Sequence, residues 1–272
     1  MYNSRTKLSP LAVNLFQSLQ SVGKNVFTRT EASDILNVNR RYLNNTLSSL
    51  EKEGWIKRLE RGKYLIVPME AGKEGSWSEH PYVIASYLVE PYCIAYWSAL
   101  SQWGYTEQLL KTTFVLTSGR KFSAEKQVLG QTYKFISVKK EKLFGLTQVW
   151  VENRRINVTD REKTIVDCLD RPDYCGGIVE ASKAIKNGLT DKKVSTEKIL
   201  DYASRLGNRT VFKRLGYLAE ILEMNIPDFE SECLRRISKG YSHLDPTQRG
   251  KGRHLRKWML IENVNRNELR FD

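Results

Sequence analysis

The sequence lacks the features that mark membrane-embedded, secreted and metal-dependent proteins. It has no apolar run of about 18 residues, the length that a membrane-spanning helix needs. Residues 1–20 are amphipathic without a signal-peptide core, which predicts a cytoplasmic protein. With 4 cysteines, 3 histidines, no Cys-x-x-Cys pair and no metal-ligand spacing, we predict reduced, mostly buried thiols and no metal. The cysteines are Cys93, Cys168, Cys175 and Cys233.

Several enzyme motifs are absent as well. The chain has no Gly-x-x-x-x-Gly-Lys-Ser/Thr phosphate loop, no Asp-x-Asp pair and no Glu-x-Lys triplet. These absences argue against a P-loop nucleotidase, a nucleotidyltransferase and a nuclease of the type that uses such a triplet. We therefore predict no catalytic residues and no cofactor.

One acidic cluster, between positions 160 and 173, leaves two interpretations open. Its carboxylates could hold Mg²⁺ beside a nucleic acid. In the structural alternative, which we favour, the first two acids support the start of a helix and the others pair with neighbouring cations. The acids are Asp160, Glu162, Asp167, Asp170 and Asp173, and the cations are Arg161, Lys163 and Arg171.

Positive charge is concentrated at the two ends of the chain. The formal net charge is +13, which predicts an anionic partner, most simply a nucleic acid. Residues 1–68 carry 11 Lys and Arg against 5 Asp and Glu, and residues 204–272 carry 14 against 9. Residues 69–203 are nearly balanced, with 19 against 17. Solubilising surface charge is the alternative explanation.

The N-terminal region has the pattern of three short helices followed by a basic β-hairpin. Ser9, just before a proline, is predicted to cap the first helix, and Thr28 or Thr30 the second. Asn39 is predicted to cap the third helix. This order is that of a winged helix-turn-helix, which we assign to residues 1–68.

The third helix carries the residues that we predict to contact DNA. Leu43, Leu47 and Leu50 fall on one face at about 100° per residue. The opposite face holds arginine, asparagine and serine, whose side chains hydrogen-bond to base edges and phosphates. An ordinary solvated helix face is the alternative interpretation. The predicted DNA-contacting residues of this helix are Arg40, Arg41, Asn44, Asn45 and Ser48.

The hairpin is predicted to form the wing. It turns at Arg61-Gly62-Lys63, and Arg58, Arg61 and Lys63 are expected to contact phosphates or the minor groove. Because one winged helix makes a modest contact area, sequence-specific binding would use two copies on inverted half-sites. We predict a monomer or a dimer induced by DNA.

The rest of the chain predicts a larger α+β domain. Residues 69–80, with Gly72, Gly75, Ser76 and Trp77, have the composition of a linker. Strand patterns then precede helices, which predicts an α+β fold with a mixed or antiparallel sheet. The strands are predicted at 113–117, 133–138, 148–151 and 155–158, and the helices begin near 160, 178, 196, 210 and 229.

Two helix boundaries in this domain are predicted from local signals. Thr159 and Glu162 have the spacing of a capping box, which opens the helix after the last strand. Gly188 is predicted to end the helix that begins near residue 178.

The basic tail at residues 248–258 allows two interpretations. It could track phosphates or RNA with Trp258 stacking on a base, or it could be a solvated terminus that packs only Trp258, Met259 and Leu260. His243 and His254 are assigned to a basic loop, as nucleic-acid or surface residues.

In combination, several segments resemble the AbiEi family, whose members are antitoxins and transcriptional regulators of type IV toxin–antitoxin systems. The resemblance covers roughly residues 10–225. It is carried by Leu59-Glu60-Arg61-Gly62-Lys63-Tyr64, Tyr96-Trp97-Ser98-Ala99-Leu100 with Gly104, Val158-Thr159-Asp160-Arg161-Glu162-Lys163-Thr164-Ile165-Val166-Asp167, Gly176-Gly177 and Arg214-Leu215-Gly216-Tyr217-Leu218.

The resemblance implies a repressor that binds inverted repeats in the promoter of its own operon. Residues 81–225 would form the AbiEi-like antitoxin domain, and residues 226–272 a helical, basic C-terminal extension. The implied functional partner is a nucleotidyltransferase-like toxin, which the antitoxin opposes without a stable direct complex. Two other hypotheses stay open: a metal-dependent, nucleic-acid-processing enzyme targeted by the winged helix, and an adaptor that binds a protein partner.

Overall fold

The computed structural model describes residues 7–71, 79–119, 123–248 and 250–271. The linker residues Gly72, Gly75, Ser76 and Trp77 lie outside the described residues. The chain divides into two compact units. The first unit comprises residues 1–88 with 127–130, and the second comprises residues 89–126 with 131–272. The division into a winged-helix domain, a linker, a regulator domain and an extension stays a prediction.

The first unit contains the predicted order of elements. Its helices are α1 (Pro10–Ser21), α2 (Arg29–Leu36), α3 (Arg40–Lys52) and α4 (Pro81–Leu88), and its strands are β1 (Val26–Thr28), β2 (Ile56–Glu60) and β3 (Lys63–Ile66). A short 3₁₀ turn covers Met69–Ala71. The three strands form one antiparallel sheet in the order β1-β3-β2.

Side-chain caps set the starts of the first three helices. The Ser9 hydroxyl accepts from the Ala12 amide at 3.2 Å, and Asn39 accepts from the Tyr42 amide at 2.9 Å. Of the two threonines proposed for α2, Thr28 is the cap, and it forms a reciprocal capping box with Glu31. The predicted caps of α1 and α3 are therefore confirmed.

The core of this unit is formed by apolar faces that the helical periodicity predicts. Leu15 and Leu19 of α1 pack with Leu43, Leu47 and Leu50 of α3, and all five are at most 4% exposed. The predicted orientation of the third helix is confirmed, because its leucines are inside and its other face is in solvent.

The second unit begins with a mixed sheet. The strands of this sheet are β4 (Cys93–Ile94), β5 (Thr112–Thr117), β6 (Glu125–Val128), β7 (Gln131–Ser137), β8 (Leu146–Val151) and β9 (Arg154–Thr159), in the order β6-β7-β5-β4-β9-β8. Residues 127 and 128 of β6 are counted with the first unit. β4 and β9 are parallel, as are β5 and β7, while β4 and β5, and β8 and β9, are antiparallel. The predicted α+β fold with a mixed sheet is thus confirmed.

The helices of the second unit pack against residues of its sheet. They are α5 (Tyr96–Gln102), within the sheet region, then α6 (Arg161–Asp170), α7 (Ile178–Thr190), α8 (Thr196–Leu206), α9 (Thr210–Ile221), α10 (Phe229–Arg236) and α11 (Arg266–Arg270). Short 3₁₀ turns cover Lys140–Lys142 and Pro172–Tyr174. One continuous apolar core joins these helices to residues of β4, β5 and β7. No helix within the described ranges is long and apolar enough to cross a membrane.

Two boundary predictions in the second unit are wrong. The N-cap of α6 is Asp160, which accepts from the Lys163 amide at 2.8 Å, because Thr159 is the last residue of β9 and turns its hydroxyl to Thr164. Gly188 lies inside α7 and does not end it. A Cβ at Gly188 would come within 2.4 Å of the Ile165 Cδ1 atom, so the glycine allows α7 and α6 to approach closely.

The prediction of a helical extension after residue 225 is incomplete. Between α10 and α11, three short strands form a small sheet in the order β10-β12-β11. The strands are β10 (Ser242–His243), β11 (Arg253–Leu255) and β12 (Leu260–Glu262). His243 and His254 therefore lie in strands, and their assignment to a loop is wrong.

Candidate nucleic-acid interface

Helix α3 presents the five predicted DNA-contacting side chains to solvent. All five are exposed, and none makes a side-chain hydrogen bond or ion pair with the described part of the chain. We call this set the recognition face: Arg40, Arg41, Asn44, Asn45 and Ser48. Its donors and acceptors are thus available for an external ligand, although whether that ligand is DNA stays a prediction.

The buried side of α3 and its N-terminal cap hold the recognition face in a fixed position. The leucines on the opposite side of α3 are buried in the core, and the Asn39 side chain fixes the first turn of the helix. At the C-terminal end of α3, the Ser49 hydroxyl donates at 2.6 Å to Glu53, the residue that follows the helix, so this carboxylate is already engaged. The exposed groups are therefore arginine, asparagine and serine side chains on a helix of fixed orientation.

The three predicted wing cations differ in their surroundings. Arg58 and Arg61 are exposed, with no side-chain partner in the described ranges. Lys63 instead forms an ion pair with Glu60 at 2.9 Å and donates to the Tyr87 carbonyl at 2.8 Å. The ammonium group of Lys63 is therefore engaged inside the unit, and the wing offers two open arginines.

The wing turn is also connected to the start of α2. Gly62 adopts φ 77° at the turn, a left-handed conformation that suits glycine. Its carbonyl accepts from the Arg29 amide at 2.8 Å, which joins the hairpin to the first residue of α2. The wing and helix α2 consequently keep a fixed relation within the first unit.

Two further side chains of this unit were missed by the sequence analysis. Tyr42, in the first turn of α3, is 50% exposed and lies beside the recognition face. Arg29 is partly exposed at the first residue of α2, the helix that crosses the DNA backbone in this class of module. Tyr42 could have been found because it stands outside the leucine periodicity of α3.

Every carboxylate of the acidic cluster in the second unit has a partner among the described residues, and Asp160 and Glu162 share Lys198. Glu162 is buried and accepts from the Ser195 amide at 3.1 Å and from Lys198 at 3.0 Å. Asp160 also accepts from the Tyr202 hydroxyl at 3.0 Å. The remaining pairs are Lys163 with Asp167, Asn208 with Asp170 at 2.6 Å, and Arg171 with Asp173 at 2.7 Å. The described residues contain no group of three or more His, Cys, Asp and Glu that could hold a metal.

Most of the predicted pairing in this cluster is confirmed. Lys163 and Arg171 pair with cluster acids, but Arg161 does not, and Asp170 accepts from the neutral Asn208 amide and not from a cation. Its guanidinium pairs with Asp191 at 3.0 Å and lies over the Trp103 ring, because the start of α6 turns it toward the end of α7. The carboxylates thus support local structure, and nothing in their geometry favours the metal-centre hypothesis.

The four cysteines are free and buried, as expected of reduced thiols in a core. Burial raises the pKa of the Cys93 and Cys175 thiols, and it raises the pKa of Cys233 to about 12. The thiols of Cys93, Cys175 and Cys233 are therefore protonated at neutral pH and are poor nucleophiles.

The basic tail packs through its tryptophan. Trp258 is 1% exposed, and its indole N–H donates to Glu220 at 2.8 Å. Of the two interpretations of the tail, stacking of Trp258 on a base is therefore contradicted, because its ring lies against the α9 residue Gly216. Lys257 pairs with Glu220 and Glu230, both at 2.6 Å.

Comparisons with known proteins agree with this arrangement. Residues 17–67, which contain the recognition face and the wing, match the family described as "Transcriptional regulator, AbiEi antitoxin". This match confirms the AbiEi resemblance over that segment. No curated protein matches the sequence significantly.

One solved structure has a similar fold over almost the whole length. It is the crystal structure of the RV2827C protein from Mycobacterium tuberculosis, with a TM-score of 0.69 and 15% sequence identity. The match covers 98% of this chain and 96% of that one. At this identity, the similarity shows the fold alone.

Proposed function

We propose that this chain, which carries the AbiEi family segment at residues 17–67, is a DNA-binding transcriptional repressor and the antitoxin of a type IV toxin–antitoxin system. The observation that carries the proposal is the recognition face of α3. It exposes two arginines, two asparagines and a serine that have no side-chain partner among the described residues, on a helix whose other face is anchored in the core. Such a repressor would act by binding, without catalysis, in the cytoplasm.

Helix α3 would lie in the major groove of duplex DNA. Arginine donates two hydrogen bonds to guanine, and asparagine makes a bidentate pair with adenine. Arg41 and Asn45 lie farthest from the buried leucines, so they are the residues assigned to base edges. Arg40, at the N-terminal end of the helix, is assigned to the phosphate backbone.

The wing would add contacts with the flanking backbone. Arg58 and Arg61 are open in the structure and can approach phosphates or the minor groove. Lys63 is expected to contribute less, since binding DNA would require it to leave Glu60 and the Tyr87 carbonyl. We therefore expect Arg58 and Arg61 to contribute more to DNA binding than Lys63, although the sequence alone offers no reason to distinguish the three.

Autoregulation would require two copies of the chain on inverted repeats. A single recognition helix reads only a few base pairs, so a promoter site is expected to contain two half-sites related by a two-fold axis. The chain would bind as a monomer to each half-site or form a dimer on the DNA. The toxin partner would be a nucleotidyltransferase-like protein that is opposed without a stable direct complex.

The direct test is fluorescence anisotropy with a labelled fragment of the promoter and a scrambled duplex of equal length. Arg41→Ala and Asn45→Ala should each weaken binding to the promoter by roughly 1–3 kcal/mol per lost base contact. Binding to the scrambled duplex should change little for Asn45→Ala. Arg209→Ala, which removes an exposed arginine from the second unit, controls for the loss of one positive charge.

Wing variants provide a second, graded measurement. Arg61→Ala should reduce the affinity for both duplexes and should flatten the dependence on salt concentration. Lys63→Ala should have a smaller effect, because its ammonium is engaged within the unit. Unchanged promoter affinity in both α3 variants would rule out the recognition face.

A further inference from the structure

The second unit exposes an aromatic, basic face at the edge of its large sheet. β8 is the outermost strand, and alternate residues Leu146, Gln148 and Trp150 point outward. Trp150 is 65% exposed and Leu146 is 40% exposed. A tryptophan this open on a regular strand is unusual, since this residue is highly buried on average.

Trp150 is held in place by a neighbouring arginine. Arg155 stands directly opposite Trp150 in the β8–β9 register. Its guanidinium carbon lies 5.1 Å from the centre of the indole ring, which is within the range of a cation–π contact. Arg155 is itself exposed and has no hydrogen bond or ion pair among the described residues. The Trp150 ring and the Arg155 guanidinium therefore form a flat surface that is exposed to solvent.

The next cross-strand pair adds hydrogen-bonding groups. Gln148 stands opposite Asn157, and its side-chain amide donates to the Asn157 oxygen at 3.1 Å. This contact leaves the Gln148 oxygen and the Asn157 amino group without a partner in the described part of the chain. We call the five residues the Trp150 face: Leu146, Gln148, Trp150, Arg155 and Asn157.

The surroundings of this face favour a polyanion. Residues 139–159 carry 5 Lys and Arg against 2 Glu, although residues 69–203 as a whole are nearly neutral. Lys139 and Lys140 are exposed just before β8. A hydrophobic protein partner would not require this excess of cations. The combination of a stacking ring, a planar cation, amides and positive charge matches a nucleic acid with unpaired bases.

We infer that the Trp150 face binds single-stranded RNA. A base would stack on the indole, the Arg155 guanidinium would contact an adjacent base or phosphate, and the amides of Gln148 and Asn157 would meet base edges or 2′-hydroxyls. RNA is favoured over DNA because loops and single strands of RNA present unpaired bases, whereas genomic DNA presents them paired. This activity is separate from the winged helix and does not depend on the proposed repressor function.

The test measures binding of a fluorescein-labelled, mixed-sequence RNA of about 12 nucleotides, a length within the site sizes of single-strand binders, by anisotropy at low salt. Trp150→Ala should weaken binding about 5- to 150-fold, as expected for the loss of one stacked base. Trp150→Phe should retain part of the affinity, and Arg155→Lys should bind more weakly than wild type although its charge is kept. Tyr241→Ala removes an aromatic side chain that is 41% exposed elsewhere in the unit and should have no effect.

Three results would overturn the inference. RNA affinity of Trp150→Ala equal to that of the wild type, with both proteins folded by circular dichroism, would exclude stacking on this ring. A DNA strand of the same sequence that binds as tightly as the RNA would exclude the assignment to RNA. Sedimentation that shows a wild-type dimer and a monomeric Trp150→Ala variant would identify the face as a contact between copies of the chain.

Discussion

Lys163 and Asp167 form an ion pair in the interior of the second unit, where their side chains are only 1% and 3% exposed. They stand one turn apart on α6. The second carboxylate oxygen of Asp167 is buried without a hydrogen-bond partner among the described residues. Burial raises the pKa of Asp167, while the Lys163 ammonium opposes that rise. The charged state of this carboxyl group therefore depends on one neighbour.

Replacing Lys163 by an uncharged residue should lower the stability of the second unit. Lys163→Met is expected to destabilise the second unit by about 3–5 kcal/mol, because it leaves a buried carboxylate unpaired. This loss of stability should become smaller as the pH falls, since a protonated Asp167 is no longer a buried charge. Hydrogen exchange of peptides from α6, measured at neutral and acidic pH, reports both effects.

A double variant keeps this prediction testable if Lys163→Met does not fold. Lys163→Met with Asp167→Leu replaces both charges by apolar groups, and such replacements are often neutral or stabilising. We expect the amide hydrogens of α6 to exchange more slowly in the double variant than in Lys163→Met. If the double variant exchanges faster than the single one, the pair is needed for more than mutual compensation of charge.

The start of α2 offers a matched pair of threonines. Thr28 accepts from the Glu31 amide at 3.1 Å, whereas Thr30, two residues later, is exposed and makes no side-chain hydrogen bond in the described ranges. Thr28→Ala should cost about 1 kcal/mol, the usual value for an N-cap. Thr30→Ala should be neutral within about 0.5 kcal/mol. Thermal melting of both variants tests whether Thr28 is the cap of α2. Similar losses of stability in the two variants would contradict that assignment.

Glu31 makes the stability of the first unit depend on pH. The Lys24 ammonium, at 2.6 Å, together with the Thr28 amide and hydroxyl, holds the pKa of Glu31 below its usual value. A carboxyl group whose pKa is lowered by folding stabilises the fold above its unfolded pKa, about 4.3. That stabilisation is lost as the pH falls through the folded pKa.

The variant Glu31→Gln isolates the charge, since glutamine also serves in a capping box. At pH 7 it should be less stable than the wild type by roughly 0.5 kcal/mol, the scale of an exposed ion pair. Below the folded pKa of Glu31 the two proteins should melt alike. A difference in melting temperature that stays constant from pH 7 to about pH 3 would show that the carboxylate charge plays no part.

Short-range signals in the sequence predicted much of the first unit. The caps Ser9 and Asn39 act on amides three residues away, so their partners could be identified from the sequence. The leucine spacing of α3 similarly predicted which face would be buried. Glu60 lies three residues from Lys63, so their ion pair could also have been predicted, although the hydrogen bond to the Tyr87 carbonyl could not. Contact between the recognition face and DNA stays a prediction.

Long-range contacts explain what the sequence analysis missed in the second unit. Gly188 looked like a helix end because nothing near it in sequence shows the Ile165 side chain against which it packs. The strands β10, β11 and β12 have only two or three residues each. Such strands are too short for an alternating pattern to be visible. The paired residues of β10 and β12 are also 18 positions apart in the sequence.

Two tryptophans of opposite exposure provide the last prediction. The Trp258 ring is fully buried, and a Cβ added at Gly216 would come within 2.2 Å of it. Trp258→Ala should therefore cost about 3–5 kcal/mol through the cavity that it leaves. Trp150→Ala removes the same side chain from an exposed site and should cost less than about 1 kcal/mol. Urea unfolding of both variants makes the comparison. If Trp258→Ala is as stable as Trp150→Ala, the C-terminal segment is not part of the core, and its basic residues are free to bind a nucleic acid.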